Sequence, residues 1–121
     1  METDELWRFL PIGYLATVAI ELPVLLIGLS REHPLRRRLL AGLGLTACTY
    51  PMVVLVLPAM LVSQPRWIYL AIAETFAPLA ECALFLAAFR PQRSSIRDCT
   101  VIVVANLLSF GIGEAIHWWS G

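Results

Sequence analysis

The chain has 121 residues, is 59% hydrophobic and has a mean hydropathy of +0.74, which excludes an ordinary soluble domain of this size. Nine arginines balance nine acidic residues and lysine is absent, so no net charge points to a nucleic-acid partner. Cys48, Cys82 and Cys99 form no CxxC pair and are odd in number, which argues against a disulfide framework or a thiol redox site.

The first apolar stretch runs from about Trp7 to Leu29. The METDELWR ahead of it is acidic, unlike the start of a cleavable signal peptide, so this stretch is expected to stay in the protein. REHPLRRR, residues 31–38, follows with four arginines. The second stretch spans about Leu39 to Val62, and SQPR, residues 63–66, adds one arginine. The third runs from Trp67 to Phe89, RPQRSSIRD at 90–98 brings three arginines, and the fourth runs from about Cys99 to Trp119. Each stretch is about 20 residues or slightly more, the length of a transmembrane helix. The expected fold is therefore all-α: one domain, residues 1–121, made of four transmembrane helices in a bundle, with nothing left over for a soluble domain.

Orientation follows from the connections. The first and third carry most of the arginine, so the positive-inside rule makes 31–38 and 90–98 cytoplasmic and puts both termini outside an inner (cell) membrane. Trp7, Trp67, Trp118 and Trp119 then share the outer interface, where aromatic residues are favoured. The run Arg36, Arg37, Arg38 reads mainly as this topology signal, with anionic lipid headgroups as its natural contact.

Prolines 11, 23, 51, 58 and 78 fall inside the spans, where each removes a backbone hydrogen bond. At Pro23, Pro51 and Pro78 the freed carbonyl is expected close to a polar side chain. Gly42 and Gly44, and Gly111 and Gly113, are candidates for close helix contact.

A shift of sixty residues lays Glu21 on Glu81, Arg37 on Arg97, Thr46 on Asn106, Thr49 on Ser109 and Tyr50 on Phe110. The chain then reads as two hairpins, about 7–62 and 67–119, forming a parallel repeat about an axis normal to the membrane. Glu21 and Glu81 each lie nine residues from the inner edge, and Thr46 and Asn106 eight or nine. These four share a level roughly 12–14 Å in, at 1.5 Å per residue. Glu74 and Glu114 mark a second level nearer the outside.

Carboxylates at such depth cost about 2.5–3.5 kcal/mol each on insertion scales, so they are expected to face an ion, a cavity or a partner. Glu21, Glu81, Glu74 and Glu114, with Asn106, Thr46 and Ser109 as neutral donors, make the candidate proton or cation site. The leading expectation is a protein that binds and translocates a proton or small cation, through self-association of identical copies. The alternative is a membrane subunit or anchor whose glutamates bond to partner helices. Glu114-x-x-His117 is half of a di-iron signature, but no second copy of it exists, and the other histidine, His33, is at the opposite membrane face. Walker, HExxH, nucleophile-elbow and dinucleotide motifs are absent, so no enzyme and no cofactor is expected.

Overall fold

The computed structural model describes residues 3–89 and 95–120, and their side chains except at 3–7, 9, 10, 117, 118 and 120. The backbone is helical almost throughout: α1 is Thr3–Gly28, α2 spans Leu35–Met60, α3 is Arg66–Ala88 and α4 is Ser95–Ser120. All four are long and apolar enough to cross a membrane. Each helix lies against two others, α1 and α3 both flanked by α2 and α4. The expected roles of Trp7, His117, Trp118 and the 90–94 stretch lie outside the described residues.

The boundaries differ most at α2, expected from about Leu39 and found from Leu35. Pro34, with φ −66° and ψ 162°, stands just before the first turn. Such a residue fixes an extended entry and lets the helix start behind it. Arg36, Arg37 and Arg38 therefore sit on the first turn of a helix and not in a loop.

The distribution of polarity is that of a membrane protein. Ile12, Leu15, Ile27, Leu79 and Ile96 point outward, whereas Glu21, Thr46, Thr49, Glu81, Asp98 and Asn106 are buried. An exposed apolar surface of this kind suits lipid and not water. The main hydrophobic core, Leu25, Leu29, Ala41, Leu45, Phe85, Ile102 and Ala105, gathers at the end of the molecule that holds the α1–α2 turn.

Glycine contact is real at Gly42, where an added Cβ would collide with Leu22, and at Gly28, where it would meet Val101 Cγ1 at 2.6 Å. Gly44, Gly111 and Gly113 face open space, so the expectation for them is corrected. The sequence spacing alone does not tell which face of a helix meets a neighbour. Val101 is β-branched and stiff, so it yields poorly. Gly28→Ala is expected to cost about 1–3 kcal/mol by overpacking, relieved by adding Val101→Ala. Gly44→Ala is expected to be neutral or to stabilise by up to about 1 kcal/mol. Thermal unfolding in one detergent compares the variants.

A π-helical turn, Met52–Val56, interrupts α2. Leu57 N–H donates to Met52 O, five residues back, and Pro58 has no N–H to offer. The Val53 carbonyl is thereby freed, and the Tyr69 hydroxyl donates to it at 2.7 Å. A side chain does reach a proline-freed carbonyl, but here it is the one opened by Pro58. Tyr69→Phe is expected to destabilise by about 1–3 kcal/mol, because it strands that carbonyl. Chemical unfolding of the parent and variant gives the number.

Candidate functional site

Four helices place their polar residues around one cavity of about 150 Å³. Its lining includes Thr17 and Glu21 from α1, Thr46, Thr49 and Tyr50 from α2, Glu74 and Glu81 from α3, and Asn106 and Ser109 from α4. Room of this size accommodates several waters or a partly hydrated ion. Among the described residues that line it, every charged side chain is a carboxylate.

The two inner glutamates are each 2% exposed and turn toward hydroxyl groups. Ser109 Oγ donates to Glu21 Oε2 at 2.6 Å, and Thr46 Oγ1 approaches Glu21 Oε1 at 3.5 Å. Thr49 Oγ1 donates to Glu81 Oε2 at 3.0 Å. The other oxygen of Glu81, Oε1, is buried without a hydrogen-bond partner among the described residues.

Each of these hydroxyls also has a second acceptor on its own helix. Thr46 faces Gly42 O at 3.3 Å, Thr49 faces Leu45 O at 3.1 Å, and Ser109 faces Asn106 O at 3.0 Å. A hydroxyl has one proton and two lone pairs. It can donate to an ionised carboxylate, or turn to the helix carbonyl and accept from a protonated one. Both states of the glutamate are therefore hydrogen-bonded, which is what a reversible proton or cation site needs.

Of the residues expected in the site, Glu21, Glu74, Glu81, Thr46, Asn106 and Ser109 come together around the cavity. Asn106 Nδ2 donates one of its two hydrogens to Ile102 O at 2.9 Å, which leaves the other for the Glu81 carboxylate beside it. Glu114 stands apart from the lining, in a forked pair with Arg66 at 2.7 and 3.1 Å. Glu74, expected at a separate outer level, lines the same cavity as the inner pair. Thr49, Thr17 and Tyr50 join the lining although sequence reasoning left them out of the site. For Thr49 a signal existed, since the sixty-residue shift makes it the counterpart of Ser109.

A second buried polar cluster lies at the α1–α2 turn. His33 is 1% exposed and Asp98 0%. His33 Nε2 lies 2.8 Å from Asp98 Oδ2, and Asp98 Oδ1 accepts the Ser30 N–H at 2.8 Å. Arg37 Nη1 approaches His33 Nδ1 at 3.4 Å. A guanidinium only donates, so Nδ1 accepts and Nε2–H donates to Asp98. Glu32 Oε1 is 3.7 Å from the same Nε2, and a metal ion held by Glu32, His33 and Asp98 would need that nitrogen bare. The arrangement is a hydrogen-bonded tie. Arg38 adds to it, donating to Leu26 O at 2.6 Å and to His33 O at 3.2 Å, and Arg37 lies over the Phe89 ring at 5.1 Å. Arg36 is exposed.

Comparison with protein-family models, curated proteins and solved structures gave no significant match.

Proposed function

We propose that the chain is a transmembrane four-helix bundle that binds a proton or a small hard cation at Glu21 and Glu81 and moves it across the membrane. The observation that carries this reading is Glu81 Oε1, buried in a polar cavity and lacking a hydrogen-bond partner among the described residues. A stranded buried acceptor is costly, and a proton or cation in the cavity relieves it. Oxygen donors from carboxylate, hydroxyl and amide suit a hard ion and not a soft metal.

A parallel duplication into two hairpins is supported by the crossing of the two donor bonds. Thr49 of the first hairpin donates to Glu81 of the second, and Ser109 of the second donates to Glu21 of the first. The sixty-residue shift exchanges these two bonds. The cytoplasmic placement of the α1–α2 turn and the start of α4 is supported by Arg31, Arg36, Arg37, Arg38 and Arg97, all at that end. Arg66 belongs to the other end, where Glu114 offsets it. An inner (cell) membrane fits this charge pattern.

A role as a subunit that bonds to partner helices through its glutamates is less well supported. Glu21 and Glu81 turn into the chain's own cavity and leave 2% of their surface exposed. Self-association of identical copies concerns the path across the membrane, since the ion site is complete in one chain. The test is flux of protons, and separately of Na⁺ and K⁺, in vesicles reconstituted with the purified chain. Flux above that of empty vesicles that falls away in Glu81→Gln supports the reading. A particle that is active only together with other subunits turns it over to the subunit role.

A further inference from the structure

Four polar side chains of the cavity each have a buried apolar residue one helical turn further toward the α1–α2 turn. Glu21 is followed by Leu25, Glu81 by Phe85, Thr49 by Leu45 and Asn106 by Ile102. One turn is about 5.4 Å, so a closed apolar layer floors the cavity on that side. Beneath the layer lies His33, its ring edge-on to Phe85 at 5.1 Å between centroids. The same ring bonds Asp98 at the first turn of α4, so one side chain joins the α1–α2 turn, the end of α3 and the start of α4.

We propose that the His33–Asp98 pair is the latch of a gate on the α1–α2-turn side, holding the apolar layer shut while the cavity exchanges ions with the other side. The proposal rests on the ion-carrying reading of the cavity. Its physical reason is the polar character of the tie. A buried pair of this kind is no better for stability than apolar residues of the same shape. It differs in what happens on opening, because His33, Asp98 and the Ser30 N–H can all be satisfied by entering water. An apolar tie at this place would resist separation. Phe85, resting edge-on against the His33 ring, would move with the latch and unfloor the cavity beside Glu81.

The test uses the full chain in membranes, with Cys48, Cys82 and Cys99 replaced by alanine and Ala105→Cys as a reporter within the apolar layer. A charged, membrane-impermeant thiol reagent is applied from the α1–α2-turn side. Asp98→Asn keeps the side-chain shape and weakens the tie, and it is expected to raise the labelling rate by roughly tenfold or more through easier local opening. A folded Asp98→Asn protein that labels no faster than its parent overturns the latch. A second arm asks whether the contact must open during turnover, using Asp98→Cys beside the native His33 and Glu32 with Cd²⁺ as a bridge. Flux is expected to stop with Cd²⁺ and return with a chelator, while ion binding from the opposite side is unchanged. Undiminished flux under Cd²⁺ also overturns the latch. Because labelling needs no transport, a cavity that carries no ion leaves the first arm decisive, and the two readings fail separately.

Discussion

Glu81→Gln vesicles are expected to show ion flux no higher than empty vesicles, while the protein itself becomes as stable as the parent or more so. Loss of flux follows from removing the ionisable group that holds the unpartnered oxygen. The stability result has a separate cause. Glutamine keeps an oxygen for the Thr49 hydroxyl, which lies 3.0 Å from Glu81 Oε2, and replaces a buried ionisable group with a neutral one. An ionised carboxylate is costly to bury, and the neutral amide removes that cost. Flux and unfolding measured on one preparation separate this outcome from simple misfolding, which would lower both. Glu21→Gln is expected to lose flux with a smaller change in stability, since Ser109 and Thr46 already approach both of its oxygens.

His33→Ala is expected to destabilise the chain by about 1–3 kcal/mol or more, the cost of leaving a buried carboxylate without a hydrogen-bond donor. Asp98, fully buried, would keep the Ser30 N–H as its hydrogen-bond donor among the described residues. The edge-on contact with Phe85 would go as well. The double variant His33→Leu with Asp98→Leu is expected to recover most of this loss, because paired apolar groups leave nothing unsatisfied. Denaturant unfolding of the parent, the single and the double variant measures both steps. Recovery of stability in the double variant without recovery of flux would be the mark of a tie that has to open.

The parts legible in the sequence were those set by composition and period. Hydropathy runs gave four helices to within a few residues, because burying twenty apolar residues in lipid overrides local propensity. Depth counting brought Glu21, Glu81, Thr46 and Asn106 to one level, because helical rise is constant. Rotation about each helix axis was not legible. Gly44 and Gly42 are two residues apart on the same helix, yet one faces open space and the other faces Leu22. Glu114 and Arg66 are 48 residues apart, and nothing local announces their pairing. The His33–Asp98 tie was hidden for a related reason. Each residue sits in a connection dominated by arginine, whose net charge masks the acidic side chain that turns inward. The freed carbonyl of Val53 depends on a π-helical turn, which Pro58 permits but does not by itself dictate.

The most direct test of the central claim is an infrared difference spectrum of the purified chain in lipid as proton or cation concentration is changed. The expected result is a carboxyl band that appears or shifts on titration and is lost from both Glu81→Gln and Glu21→Gln. A spectrum in which no carboxyl band inside the membrane responds, or one that is unchanged by both substitutions, would contradict the assignment of these glutamates to an ion.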